Sequence, residues 1–175
     1  GIDASLAVAS KIGGRVTGPD GATGLAGIQA SAHRQEGAGW SWVAAGETAA
    51  DGTYVIGGLT AGTYRVRFDD YQSGNYRIEV YDNAPDLDSG ADIVVGVGET
   101  AAGIDASLAA ASKIGGRVTG PDGTTSLSGI QATAYRWDGA GWEWIASANT
   151  AADGAYVIGG LAAGTYRVRF DDYQS

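Results

Sequence analysis

Residues 1–73 of this chain recur as residues 103–175 without a gap, with roughly 58 of the 73 positions identical. A period of about 102 residues is too long for a solenoid or a propeller blade and has the size of one small domain, so the sequence reads as a tandem array of domains. The heptapeptide G-I-D-A-S-L-A stands at residues 1–7 and again at residues 103–109, just before S-K-I-G-G-R-V-T-G restarts the pattern. Residues 1–10 therefore read as the closing strand of a preceding repeat, 11–110 as a complete repeat and 111–175 as a partial second one. The chain opens on Gly1 rather than Met, which reads as a window on a longer repetitive protein.

Within a repeat, apolar residues recur at every second position in short runs, and turn signals separate the runs at about ten-residue spacing. That pattern predicts strands over residues 11–17, 28–34, 40–45, 54–56, 64–68, 76–81, 93–97 and 104–108, with no amphipathic helix. Gly18-Pro19-Asp20-Gly21 and Ala50-Asp51-Gly52 supply the turn chemistry between them. The clearest hairpin pairs residues 64–68 with 76–80, where one parity is apolar and the other charged; its arginines are expected to pair with Glu79 on the wet face.

Charge and composition exclude several functions. A formal charge of −9 with pI near 4.3 argues against nucleic acid and anionic membranes, which are held by clustered Lys and Arg. The absence of Cys removes disulfides and thiolate metal sites. No run approaches the roughly 18 apolar residues of a bilayer span, so no membrane insertion is expected. His33 is the only imidazole and its counterpart is Tyr135, so neither a catalytic triad nor a His-ligated metal centre can be built in both copies, and the chain is not expected to be an enzyme.

The run D-G-T-Y-V-I-G-G-L-T-A-G-T-Y-R-V-R-F, with its copy D-G-A-Y-V-I-G-G-L-A-A-G-T-Y-R-V-R-F, resembles the CNA-B-like and carboxypeptidase-regulatory-like modules of bacterial surface and secreted proteins. The G-P-D-G turn and L-A-G-I-Q-A-S-A-H-R fit the same resemblance. It implies an all-β fold of tandem transthyretin-like or Ig-like antiparallel β-sandwich domains, and an extracellular or cell-surface location. Some CNA-B members carry a Lys–Asn isopeptide bond. Lys11 and Lys113 open a first strand here, but Asn75 and Asn83 fall in or beside loops and Asn149 is Glu47 in the other copy, so a solvated lysine is the expectation.

Two further groups have the chemistry of a site. Asp82, Asp86, Asp88 and Asp92 crowd one loop with oxygen ligands suited to Ca²⁺, although the spacing is not that of an EF-hand; an ordinary polar turn is the alternative, and no cofactor is required. Trp40 and Trp42, repeated as Trp142 and Trp144, share one side of a strand, where they either pack on the sheet or stack on a sugar. Trp137 replaces Gln35, so Trp137, Trp142 and Trp144 form a candidate glycan or subunit contact.

The function these features point to is a structural repeat of an extracellular bacterial fibre, stalk or surface array, whose partners are copies of itself or adjacent repeats. The alternative is a carbohydrate-binding or accessory module of a secreted hydrolase. Residues 166–170 lack the hairpin partner that the first copy has, so an unpaired edge open to strand addition is expected there.

Overall fold

The computed structural model describes residues 1–3 and 8–173, and these residues form an all-β protein. Two compact units result, one of Gly1–Gln72 with Ile78–Ala110 and the other of Ser73–Arg77 with Ala111–Ser175. The expected closing strand over residues 1–10 falls partly on residues 4–7, outside the described residues.

In the first unit, β1 (Ser10–Thr17) pairs antiparallel with β4 (Thr53–Leu59), in register Ile12 to Ile56 and Gly14 to Tyr54. The facing sheet runs β3 (Gly39–Glu47), β2 (Gln29–Glu36), β5 (Gly62–Asp69) and β6 (Glu79–Val80), with β7 (Ile93–Val95) also on β5. Alternation sends Ala30, Ala32, Tyr64, Val66 and Phe68 inward against Ile12, Val16, Tyr54 and Ile56, all buried, and Tyr54 meets Phe68 edge to face with ring centroids 5.6 Å apart. Thr48 ties the turn into β2 to the strand pair: its Oγ1 donates to the Leu25 carbonyl at 2.5 Å and accepts from Ile28 N at 2.9 Å.

The outer edge of β1 is closed by later chain. Both β8 (Thr100–Ala101) and β9 (Ala106–Ser107) pair with it in parallel, at Lys11–Ile12 and at Val16–Thr17. The sequence placed a strand at 104–108 but carried no signal for its direction, because a strand's alternation is the same whichever way it runs.

In the second unit, β10 (Ser112–Arg117) pairs with β13 (Ala155–Leu161), and β11 (Gln131–Trp137) lies between β12 (Trp142–Asn149) and β14 (Tyr166–Asp171). Its core gathers Ala132, Ala134, Tyr156, Ile158 and Leu161, with Ile114, Val118, Ile145 and Val168 packed against them. The same sequence is less covered here: Phe68 is fully buried, whereas its counterpart Phe170 is 47% exposed. Among the described residues β14 forms one edge of its sheet, and nothing stands where β6 and β7 stand in the first unit.

The expected strand over 76–81 is corrected to Glu79–Val80 alone. Its start is diverted because Ser73–Arg77 packs in the second unit: Gly74 O accepts from Gly160 N at 2.9 Å and Asn75 O from Ala111 N at 2.7 Å. Glu79 consequently lies opposite Phe68, and among the described residues Arg65 pairs with Asp92 and Arg67 with Asp69 rather than with Glu79.

The G-P-D-G turns are closed by their own aspartates. Asp20 Oδ1 accepts from Ala22 N at 3.0 Å and Thr23 N at 2.9 Å, and the Thr23 hydroxyl donates to Oδ2 at 2.5 Å. The Thr23 hydroxyl, followed by those amides, lowers the Asp20 carboxyl to about 2. A carboxyl lowered on folding stabilises the turn above its unfolded pKa and loses that contribution as pH falls through the folded one. Carboxyl-detected titration by NMR is therefore expected to show Asp20 and Asp122 ionised down to about pH 3, after ordinary surface carboxylates have protonated; midpoints near 4 for both would refute it.

The unequal burial of the two phenylalanines gives a second expected outcome. Phe68→Ala should cost about 3–5 kcal/mol and Phe170→Ala about half that or less, read from denaturant unfolding of each variant. Equal costs would show that Phe170 is as enclosed as Phe68.

Candidate functional site

The outer face of the β3-β2-β5 sheet is aromatic and cationic. Strand alternation with the register Gln35 to Trp40 and His33 to both Trp42 and Arg65 puts these five side chains on one side. The Arg65 guanidinium stacks on the Trp40 ring, 4.2 Å from its centroid. Its nitrogens then reach the acidic loop: Nε donates to Asp92 Oδ1 at 2.8 Å, and Nη1 donates to the carbonyls of Asp88, at 2.8 Å, and Leu87.

The four expected Ca²⁺ ligands are therefore distributed. Asp92 is held by Arg65, and Asp88 contributes its main-chain carbonyl to the same arginine. Asp86 Oδ1 accepts from Ser89 N at 2.9 Å and from the Ser89 hydroxyl at 2.6 Å, which lowers its carboxyl below the usual range. Asp82 sits at φ 68° in the turn after β6 and, with Asn83, Glu79 and Asp105, lines a depression of about 260 Å³. Burial raises the Glu79 carboxyl. Among the described residues no three His, Asp or Glu side chains are grouped so as to hold a metal ion. The guanidinium of Arg65 lies against the loop, its five donors in a planar fork that suits several carbonyls and a carboxylate together.

In the second unit Arg167 repeats the stack on Trp142 at 4.2 Å, and Trp137 joins it with ring centroids 5.4 Å apart and planes tilted by 54°. Trp144, 62% exposed, lies across from Tyr135 on the same face. Two of the three candidate tryptophans thus touch each other and the third is a strand position away. The arginine beneath Trp142 was not anticipated: Arg167 lies 25 positions on in sequence, and only the strand register brings the two together.

Lys11 is exposed, and Lys113 Nζ donates to the Ser73 carbonyl at 2.9 Å. His33 Nε2 lies 3.2 Å from Ser31 Oγ, and burial followed by the nearby Arg67 charge lowers its pKa. That Ser–His contact, between residues two apart on one strand, went unnoticed in the sequence. Its counterpart is Thr133 with Tyr135, so the pair is particular to the first copy.

No protein-family model matches the chain, and no curated protein matches it. Among solved structures it is similar to the Bacillus anthracis TIE protein, with 18% identity and a TM-score of 0.40 over 94% of this chain and 28% of that one. It is similar also to a streptococcal ancillary pilin, with 14% identity and a TM-score of 0.47 over 93% of this chain and 53% of that one. A third is a shaft pilin of Lactobacillus rhamnosus GG, with 13% identity and a TM-score of 0.37 over 94% of this chain and 88% of that one. The chain thus spans about a quarter of the first protein and about half of the second.

Arg65→Gln removes the charge on which the 82–92 loop closes. Hydrogen exchange of the Leu87–Asp92 amides is expected to accelerate by at least about tenfold in this variant, while chelator leaves the melting of the parent chain unchanged. A rise in melting temperature on adding Ca²⁺ would instead assign the loop to a metal.

Proposed function

We propose that the chain is a structural module of an extracellular bacterial fibre, stalk or surface array. The observation that carries this is the way one unit hands the chain to the next: β9, which closes the first unit, ends at Ser107, and β10 of the second unit begins at Ser112. No flexible Ser- or Pro-rich linker separates them. Near-identical domains joined so briefly form a regular repeating element, and repetition is what a fibre or stalk needs. The acidic surface keeps such an element soluble and away from anionic polymers. Electron microscopy of native material is expected to show filaments or stalks with a regular axial repeat of one domain; isolated globular particles would overturn the reading.

The Trp137–Trp142 pair with exposed Trp144 supports a second reading, a glycan-binding or accessory module, since clustered indoles can stack on sugar rings. Trp137→Ala and Trp144→Ala would then abolish retention on a soluble-glycan array. Absence of any glycan bound by the parent chain sets that reading aside.

A further inference from the structure

The structure assigns Ser73–Arg77 to a strap that the first repeat lends to the second, received by Gly159, Gly160, Ala111 and Lys113. This goes beyond the reading as a structural module and stands without it, because it names a contact by which one repeat takes hold of the next.

By sequence, residues 73–77 lie inside the first repeat, between β5 and β6. By their contacts they belong to the second unit, so the chain leaves the first unit after Gln72, returns at Ile78 and leaves again after Ala110. Domains strung in series need one crossing each; the extra pair makes release of the strap part of opening the second unit.

The receiving surface starts from an irregularity in the β10–β13 ladder. Ser112 faces Leu161 and Ile114 faces Ile158, so Gly159 and Gly160 together oppose Lys113. A bulge of this kind drops a residue out of the ladder, and the strap takes up what is left: Gly160 N donates to Gly74 O at 2.9 Å. To either side, Ala111 N donates to Asn75 O at 2.7 Å and Lys113 Nζ to Ser73 O at 2.9 Å. Successive carbonyls of the strap, those of Ser73, Gly74 and Asn75, thus each accept from the second unit. The strap is also folded on itself, with Asn75 N donating to Ser73 Oγ at 3.3 Å.

Glycine on both sides permits this approach. A Cβ added at Gly159 would lie 2.8 Å from Gly74 O and 2.9 Å from Gly74 Cα, and one added at Gly74 would lie 2.9 Å from Gly159 Cα. The first unit carries the same bulge, with Gly57 in the place of Gly159. Among the described residues nothing comes within 4 Å of a Cβ added at Gly57, so the packing of the sandwich does not itself call for glycine there, whereas the strap does at Gly159. Neither glycine has a positive φ, so alanine is compatible with the backbone at both. The first unit, with β6 to β9 in place, sets none of its own described residues against this position; the strap therefore competes with no element of the sandwich.

Gly57→Ala and Gly159→Ala form a matched pair for testing the strap. In the parent chain of 175 residues, a nuclear Overhauser contact between the α-protons of Gly74 and Gly159 is expected, with the amides of Ala111 and Gly160 protected from exchange. Gly159→Ala should remove that contact and accelerate exchange at both amides by at least about tenfold, with faster exchange in β13 as well; Gly57→Ala should leave them, and β4, unchanged. Should Gly159→Ala fail to fold, Lys113→Met carries the comparison, since Lys113 is exposed and its loss touches only the strap: the same two amides should exchange faster, while Lys11→Met is silent. Absence of the Gly74 to Gly159 contact in the parent chain, exchange at Ala111 and Gly160 as fast as in an unstructured peptide, or an equal response to the paired substitutions overturns the proposal. All of these are read on the isolated chain, so the fibre reading, tested on native material, stands or falls separately.

Discussion

The carbonyl of Ile104 occupies the space beside Gly14 that any other residue would fill with a side chain, and the Tyr54 hydroxyl donates to that carbonyl from the other side. This close approach fixes where residues 103–109 run along β1. From it follow the burial of Leu108 against the core and the sealing of Val16 and Ile12. A sandwich of this size has few large side chains, since much of its apolar content is alanine. Each strand that covers an edge therefore carries a large share of the apolar area removed from water. The two copies act as an internal comparison: one sequence, with and without covering segments, changes Phe68 from fully buried to the half-exposed state of Phe170.

The outer sheet face is organised by a different device. Trp40 and Trp142 each stack with an arginine at the same distance, and among the described residues it is Arg65 that also binds the acidic loop. The stack is therefore intrinsic to the sheet, and the loop exploits an arginine already held in place. A guanidinium fixed by a ring loses less side-chain entropy on forming hydrogen bonds, which favours recruiting it over a freely rotating lysine. Charge on the loop is balanced locally by Arg65, while Asp86 spends its oxygens on Ser89.

What the sequence made legible was short-range. The Asp20–Thr23 turn, the strand alternation of Tyr64, Val66 and Phe68, and the identity of residues 1–7 with 103–109 all sit within a few positions or in literal repetition. What it hid was partnership across strands. Residues 76–81 alternate well enough to be a strand, yet Ser73–Arg77 is drawn into the second unit by backbone hydrogen bonds that leave no trace in side-chain pattern. The acidic loop looked like a ligand set because four carboxylates are close in sequence. The guanidinium that the structure brings to it, Arg65, lies 17 residues before the first of them and reaches the loop only because β5 passes beneath it. Trp137 was recognisable as exposed from its exchange with Gln35; its contact with Trp142 required the β11–β12 register.

An exposed strand edge is normally a hazard, and proteins blunt such edges with charge, proline or a bulge. On β10 the protection is partial: Lys113 and Arg117 are exposed, but Gly115 and Gly116 leave the centre of the strand bare. Gly116 cannot be replaced by a larger residue without losing the close approach that a carbonyl makes at its counterpart Gly14, so the feature that lets a closing segment lie against the strand also keeps the edge bare. Selectivity then has to come from the incoming chain. A strand supplying only backbone would fit loosely, whereas G-I-D-A-S-L-A adds a carboxylate for the amide of the arginine, a carbonyl for the tyrosine and a leucine for the core.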